Sequence, residues 1–346
     1  MIRKYFILVI SLVFLTTGLI GQSKVATTSA QFLKIEVGPR AAAMGNAFVA
    51  VADDATALYW NPAGITKIGY NSVSFNHKEW FAGISHDYGA AVINLPGIGS
   101  IGASLTSLSM GEMDVRTEMQ PDGTGESFAA GDLAVSGSFA RDLTDRFSIG
   151  FTGKFIRQQI WHMSANSMAL DIGTLYKTQF HGMKIGMSIS NFGPNMQLTG
   201  RDALVQYDPD QEATGNNDNI NAFLETEKWP IPLIFRVGLA MDVINNPFLK
   251  VTTALDAVHP NDVDEYVNVG TEIVWNNFFA LRGGIRHWGN GIFAGDSPVG
   301  NSGSLTFGAG INYDINRNLK VTVDYAYLDY GLLEKTQRVA ISLSFR

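Results

Sequence analysis

The stretch Lys320-Val321-Thr322-Val323-Asp324-Tyr325-Ala326-Tyr327 decides the fold class of this chain. Valine or tyrosine occupies every second position, and lysine, threonine, aspartate and alanine fill the positions between them. Successive side chains of a β-strand point to opposite faces of the sheet. The stretch therefore predicts a strand with one apolar face and one mostly polar face.

The same alternation recurs between residue 70 and the end of the chain. It is clear over residues 147–155, 235–243 and 305–313, and it yields about fourteen strand candidates. A water-soluble β-sandwich would show the same pattern, so alternation alone does not separate a sandwich from a membrane barrel. The lengths of the connections between the strands distinguish the two folds.

Short and longer connections alternate along the chain. Short turns such as residues 96–99 and 142–145 are followed by longer segments such as residues 109–129 and 193–228. Outer-membrane barrels have short periplasmic turns, longer extracellular loops and an even number of strands. A sandwich has no reason to place its long loops at every second connection. The sequence therefore predicts an all-β fold, a transmembrane antiparallel barrel of about fourteen strands over residues 70–346.

The N terminus indicates export. Arg3 and Lys4 precede an uncharged, mostly apolar run over residues 5–20, and Gly21 and Gln22 follow it. This is the pattern of a cleaved secretory signal peptide, and the run is shorter than the ~20 residues of a membrane-spanning helix. We expect a signal peptide over residues 1–21 and localisation to a bacterial outer membrane. The absence of cysteine excludes a disulfide framework and a lipid-anchored N-terminal cysteine.

Residues 22–69 lack the alternation and form a separate periplasmic or plug segment in this prediction. They include the small-residue run 41–47, which allows close backbone approach inside a narrow barrel. We expect the two aspartates of this segment to cap a short helix and its Asn-Pro pair to begin a turn. We also expect both chain termini on the periplasmic side. The residues that mark the plug are Gly45, Asp53, Asp54, Asn61, Pro62, Ala63 and Gly64.

Charged residues on the polar side of the alternation are expected to face the lumen, because Lys or Arg facing lipid at mid-depth costs ~2–4 kcal/mol. Two interpretations remain open. The first is a charge-lined channel, and the second, which we favour because both signs are present, is a salt-bridged and partly filled interior. The residues are Lys154, Asp171, Arg236, Asp242, Asp256, Glu272, Arg282, Arg286 and Asp324.

Several functional classes are disfavoured. A net charge of −7 argues against nucleic-acid binding, which needs a basic face. The six histidines fall in no metal-ligand spacing, and no nucleophile elbow is present. We therefore expect no enzyme activity, no metal and no cofactor.

The predicted outer loops are acidic. In residues 109–129 five acidic residues stand against one arginine, Arg116. A surface of one sign steers oppositely charged partners, so the loops predict docking of a protein with a basic surface. Alternatively, the acidic loops only keep the surface soluble or bind divalent ions between lipopolysaccharides. The five acidic residues are Glu112, Asp114, Glu118, Asp122 and Glu126.

Two regions of the chain carry a family resemblance. Residues 38–64 contain Ala43-Met44-Gly45, Ala52-Asp53-Asp54-Ala55 and Tyr59-Trp60-Asn61-Pro62-Ala63-Gly64, and they resemble the N-terminal hatch of the PorV/PorQ family. That family belongs to the wider group that includes the FadL long-chain fatty-acid transporters. Residues 280–286, 305–310 and 323–327 also resemble PorV/PorQ proteins.

The resemblance implies a fourteen-stranded barrel with an N-terminal plug. It also implies a part in type IX secretion, where PorV carries substrates to the machinery that attaches them to the cell surface. Partners would then be secretion machinery or exported proteins, beside outer-membrane lipid. A FadL-like channel for long-chain fatty acids or other hydrophobic small molecules is the alternative. A transporter of that kind needs an apolar pocket, and the polar inner face predicts none.

Export gives a first testable prediction. The chain purified from the outer-membrane fraction should begin near Gln22, as mass spectrometry of its N-terminal peptide will show. It should also migrate faster on gels before boiling than after, because a closed barrel stays compact in detergent. Recovery of the chain from the cytoplasm with Met1 in place would contradict this prediction.

Overall fold

The computed structural model describes residues 25, 27–209, 212, 219–288, 304–330 and 335–345. Fourteen long antiparallel strands in this part of the chain form one closed sheet, which confirms the predicted fold class. Each strand pairs with its neighbours in sequence, and the first strand also pairs with the last. The strands are β1 (Asn71–Glu79), β2 (Ser85–Leu95), β3 (Gly99–Ser109), β4 (Ala130–Thr144), β5 (Phe147–Ile160), β6 (Met163–Lys177), β7 (Lys184–Phe192), β8 (Ile234–Asn245), β9 (Leu249–Pro260), β10 (Tyr266–Trp275), β11 (Phe279–Trp288), β12 (Ser304–Asn316), β13 (Leu319–Asp329) and β14 (Lys335–Phe345).

Burial alternates along the strands as the sequence predicts. In β1, Ser72 and Ser74 are buried, whereas Val73 and Phe75 are half exposed on the opposite face. The same arrangement recurs around the barrel, so the large exposed apolar side chains form an outer band. Such a band faces lipid in outer-membrane barrels, and the inner face is polar.

The two ends of the barrel differ in their connections. At one end, which we call the turn end, short connections join β2 to β3, β4 to β5, and every later pair in this order. At the other, the loop end, longer connections span residues 110–129 and 193–233, and each contains short strands of its own. Other connections at the loop end are short, with two residues between β5 and β6 and five each between β1 and β2 and between β9 and β10. The expected connection over residues 289–303 lies outside the described residues.

Residues 27–69, here called the inner segment, lie inside the barrel. They form two short α-helices, α1 (Pro39–Ala43) and α2 (Ala57–Trp60), and two 3-10 helices, Gln31–Lys34 and Pro62–Lys67. Residues 41–52 are all buried. Within the described part of the chain, no helix is long and apolar enough to cross a membrane.

The inner segment runs from one end of the barrel to the other. At its start, Thr28 and Lys34 bind Asp262, in the connection after β9 at the loop end, at 2.8 and 2.6 Å. At its end, Lys67 pairs with Asp142, close to the turn after β4, at 2.8 Å. This differs from the expectation that both termini lie on the side of the short turns. The alternation in the sequence predicts only where the strands begin and end. It does not show that the inner segment passes through the whole lumen before β1 begins.

The topology predicts which positions face outwards on a cell. Met119, in the connection between β3 and β4, is 91% exposed at the loop end, and Asp145 is exposed in the turn between β4 and β5. The chain has no native cysteine, so single variants give a clean background. On intact cells, an impermeant maleimide should label M119C, and it should label D145C only after the outer membrane is permeabilised. The reverse order would contradict the assigned orientation.

Candidate functional site

The backbone of the inner segment approaches the barrel wall at glycines. A Cβ on Gly270 would lie 2.2 Å from the Met44 carbonyl oxygen, and one on Gly284 would lie 2.3 Å from the Gly45 nitrogen. Most other side chains would therefore push the inner segment off the wall. These wall glycines were not predicted, although glycine at inward positions of the alternation is a signal that the sequence contains. The wall glycines in contact are Gly102, Gly150, Gly173, Gly186, Gly238, Gly270, Gly284 and Gly308.

The inner segment has its own close approaches. Gly45 has a φ of 62°, and a Cβ there would lie 2.7 Å from the carbonyl oxygens of Val269 and Ile285. A Cβ on Gly64 would lie 2.1 Å from the Ala52 carbonyl oxygen. At Gly45 and Gly64, two of the predicted plug residues, the space between neighbouring backbones therefore has no room for a side chain.

Asn61 links two parts of the inner segment to the wall. Its side chain is fully buried, and Nδ2 donates to the carbonyl oxygens of Val49 at 2.9 Å and of Thr174 on β6 at 3.0 Å. Its Oδ1 accepts from the Ala63 N–H, which caps the 3-10 helix that begins at Pro62. The predicted turn at Asn61 and Pro62 therefore lies inside the barrel.

Arg40 is the centre of the first charged cluster. Its guanidinium binds both carboxylate oxygens of Glu272 on β10 at 2.8 Å, and it reaches Asp53 at 2.6 Å and Asp54 at 3.0 Å. Burial opposes the charge on Arg40, but Asp53 and Glu272 outweigh it and raise the pKa of Arg40 well above its ordinary value. Bidentate pairing of this kind is both strong and directional.

Asp53 does not cap helix α2 as the sequence predicts, and Asp54 caps only the turn that leads into the helix. Thr56 precedes that helix without a side-chain capping bond. Asp54 instead accepts from the N–H and hydroxyl of Thr56, and Asp53 turns to Arg40. Burial would raise the pKa of Asp53, but the Arg40 charge lowers it below the ordinary value. For Asp53, the ion pair with the largely buried Arg40 therefore takes precedence over local capping.

The first cluster continues along the wall. Arg282 on β11 binds Glu272 at 2.7 Å and Asp324 on β13 at 2.6 Å. Three of the charged residues predicted from sequence are thus joined in one chain of ion pairs, which also includes the inner segment. This arrangement matches a salt-bridged interior better than an open charge-lined channel.

A second cluster surrounds Glu36 of the inner segment. Its carboxylate accepts from Arg338 on β14 at 2.9 Å and lies 3.4 Å from Arg286 on β11. The Tyr330 hydroxyl donates to it at 3.2 Å. Burial would raise the pKa of Glu36, but Arg338, Arg286 and Lys78 together hold it well below the ordinary value.

Two further wall residues contact the inner segment directly. Asp256 on β9 is fully buried and accepts from the backbone N–H groups of Phe48 at 2.7 Å and Val49 at 2.9 Å. The Arg236 guanidinium on β8 lies 5.5 Å from the ring centre of Trp60, within the range of a cation–π contact. The wall therefore fixes both backbone and side chains of the segment.

The remaining predicted residues pair within the wall. Lys154 on β5 binds Asp171 on β6 at 2.6 Å. Asp242 on β8 is partly exposed near the turn end, where it accepts from the Thr252 hydroxyl at 2.7 Å and lies 3.6 Å from Lys250. Among the described residues, no group of His, Asp and Glu has the arrangement of a metal site.

A cavity of about 700 Å³ opens at the loop end, between the start of the inner segment and the wall. This pocket differs from the prediction, because the polar inward positions of the strands are not what supplies its apolar lining. The apolar lining comes instead from the inner segment and from residues near the strand ends. These side chains are Phe32, Ile35, Trp80, Ile84, Leu108 and Tyr330.

Solved structures show the same fold at low sequence identity. The toluene transporter TbuX of Ralstonia pickettii matches with a TM-score of 0.52 and 14% identity, over 89% of this chain and 97% of that chain. A FadL homologue of Pseudomonas aeruginosa matches with a TM-score of 0.52 and 12% identity, over 89% and 98%. The toluene transporter TodX of Pseudomonas putida matches with a TM-score of 0.53 and 13% identity, over 89% and 96%. Identities this low support a shared fold and nothing more.

Sequence comparison identifies the family of the chain. No curated protein matches the chain at a significant level. The model of the family described as type IX secretion system protein PorV matches residues 20–209, more than half of the 346 residues. The matched region holds the inner segment and the strands from β1 to β7. The chain therefore belongs to the family of the type IX secretion system protein PorV.

Proposed function

We propose that this chain is a non-enzymatic docking or shuttle component of type IX secretion in the outer membrane. The observation that carries the proposal is the filled lumen, in which the inner segment is buried and its charges are paired with the wall. A barrel filled in this way offers partners its rim and loops instead of an open pore. Family membership gives the process in which those partners act.

In this proposal the inner segment, as part of residues 22–69, is a plug. Its contacts include two clusters of largely buried ion pairs and the backbone bonds to Asp256. Arg40 and Glu36 keep 18% and 14% of their side chains exposed, so each pair contributes less than the about 3–5 kcal/mol lost when a fully buried pair is broken. Several such contacts together hold the plug. The plug would remain in place while partners bind and leave at the rim.

The connection between β3 and β4 is the proposed docking surface. It forms a short hairpin, in which Met113–Asp114 pairs with Ser127–Phe128, beyond the end of the barrel. Its acidic side chains at positions 112, 114, 118, 122 and 126 are exposed, and among the described residues the one ion pair of Arg116 is with Asp114, at 3.8 Å. Complementary charge mainly raises the association rate and excludes wrong partners. We expect the partner to present a basic surface.

The cavity at the loop end favours a second candidate function, a FadL-like channel for fatty acids or other hydrophobic molecules. Its volume of about 700 Å³ lies in the range of small-molecule sites, and its aromatic and aliphatic lining suits an apolar ligand. In this function the plug would have to move, because it fills the path between the cavity and the turn end.

Removal of the plug gives a testable prediction. A variant lacking residues 29–66 should fold as a barrel and show a larger conductance in planar bilayers than the full chain, because the lumen loses its filling. Unchanged conductance would mean that the segment does not close the lumen.

A matched pair of substitutions provides the control. In G270L the new side chain meets Met44 of the plug, whereas in G153L it extends from the outer face of β5, where nothing lies within 4 Å. Overpacking costs about 1–3 kcal/mol, so G270L should loosen the plug and increase conductance. G153L should behave like the unmodified chain.

Docking gives the next prediction. Glu112, Asp114, Glu118, Asp122 and Glu126 can be changed together to the corresponding amides. If each exposed charge pair contributes ~0.2–1 kcal/mol, the five pairs together contribute at least about 1 kcal/mol, and partner recovery should fall about fivefold or more. The measurement is affinity purification of the tagged chain from its native membranes, with type IX components quantified by mass spectrometry. Barrel abundance should not change.

The double variant D145N/D314N is the control, because it removes acidic charges exposed at the turn end. It should leave partner recovery unchanged. If the loop variant and the unmodified chain recover equal amounts of type IX components, the proposed docking surface is wrong. If loss of the chain abolishes growth on a hydrophobic carbon source while secretion stays normal, and the purified chain carries fatty acid, the channel function is correct.

A further inference from the structure

One arginine on the outer face of the barrel lies among apolar side chains. Arg141 is exposed near the end of β4, where the neighbouring outward positions of the same strand are Phe139 and Leu143. Its register partner on β5 is Ile149, on the same face. A charged side chain that faces hydrocarbon is destabilising, and a long one avoids this by reaching the headgroup region. Arg141 therefore belongs where the apolar band meets the lipid headgroups at the turn end.

Two further cations lie at the same corner of the turn end. Arg146 is in the turn between β4 and β5, Lys177 is the last residue of β6, and both are exposed. The two turns are joined, because the Lys177 N–H donates to the Arg146 carbonyl oxygen at 2.8 Å. Within the described ranges, no carboxylate oxygen lies within 4.0 Å of the charged nitrogens of these two residues or of Arg141. Three exposed cations thus lack an ion-pair partner in the part of the chain that the structure describes.

The carboxylates of these turns do not neutralise the group. Asp142 faces the lumen, where it is bound by Lys67 at 2.8 Å and by the Ser148 hydroxyl at 2.6 Å. Asp145 is the other carboxylate of the two turns, and it is exposed. One free carboxylate beside three cations leaves an excess of positive charge, which an anion outside the protein would balance.

Large apolar side chains accompany the cations. Leu143 is 57% exposed, Phe180 in the turn between β6 and β7 is 64% exposed, and Tyr176 is exposed on the outer face just before Lys177. Exposed apolar side chains beside cations are typical of surfaces that lie at the boundary between headgroups and acyl chains of anionic membranes. Aromatic residues concentrate at this level in outer-membrane barrels.

The direction of Arg141 separates a lipid from a protein partner. An acidic protein below the turn end could meet Arg146 and Lys177, but Arg141 faces sideways from the wall, into the membrane. A phospholipid meets all three cations with its phosphate while its acyl chains lie on the apolar outer face. Arginine suits this contact, because its planar fork of donors matches a phosphate group.

We propose that Arg141, Arg146 and Lys177 bind the headgroup of an anionic phospholipid, with its acyl chains along Phe139 and Ile149. With the turn end on the periplasmic side, the lipid belongs to the inner leaflet. A headgroup with a net negative charge is required, because a zwitterionic one brings its own cation and leaves the excess positive charge unbalanced. The bound lipid fixes the depth of the two turns in the membrane and stabilises the folded barrel.

The test uses the full mature chain in an uncharged detergent. Dihexanoyl phosphatidylglycerol is titrated in one series and dihexanoyl phosphatidylcholine in another, and unfolding on heating is followed by the fluorescence of the six tryptophans. A ligand bound only by the folded state stabilises it as its concentration rises above the Kd. The unfolding temperature of the unmodified chain should therefore be higher in phosphatidylglycerol than in phosphatidylcholine. Glycerol phosphate, which has the phosphate without the acyl chains, should cause no shift.

The variant R141Q/R146Q/K177Q should lose the difference between the two lipids. The matched control is R116Q/R157Q/K228Q, which removes three exposed cations at the loop end and the same net charge. It should keep the difference. Loss of the difference in the control as well would mean that phosphatidylglycerol acts through the overall charge of the chain, and the proposal would be wrong.

Two other outcomes also decide. If the unmodified chain shows no lipid preference and co-purifies with an acidic periplasmic protein that R141Q/R146Q/K177Q loses, the cations bind protein and the lipid site is rejected. Should that variant fail to fold, native mass spectrometry of the unmodified chain replaces it, after incubation with equal amounts of the two lipids. Preferential retention of phosphatidylglycerol supports the site, and equal retention of both lipids rejects it.

Discussion

Each charged side chain on the inner wall needs a partner inside the lumen, because the outer face of the same strands meets lipid. The inner segment supplies many of these partners. Arg40 binds Glu272, Glu36 binds Arg338, and the backbone at Phe48 satisfies Asp256. The wall charges and the inner segment therefore depend on each other. Without the segment, the wall would expose several unpaired charges to the lumen.

Backbone contact is the second condition for this arrangement. The inner segment has to come close enough for its short side chains and N–H groups to reach the wall. Glycines on eight strands provide that space, and the small residues 41–47 use it. The charged clusters and the glycines thus act together, since the glycines set the distance and the ion pairs set the position.

The same filling bears on function. In a lumen filled by the inner segment, the rim, the acidic loop and the cavity at the loop end remain as surfaces open to partners or ligands. Docking and apolar binding make different demands on the segment. Docking leaves it in place, whereas passage of a ligand through the barrel requires it to move.

The sequence by itself determined the barrel, its approximate strand number and the inward position of the charged residues. Alternation with a period of two is a local property, and connection lengths are read directly from the chain. Only the tertiary structure decided which charges meet, because Arg40 and Glu272 are far apart in sequence. It also decided that Asp53 binds Arg40 instead of capping a helix. The path of the inner segment and the apolar cavity depend on how that segment threads the closed sheet, and no local pattern encodes that path.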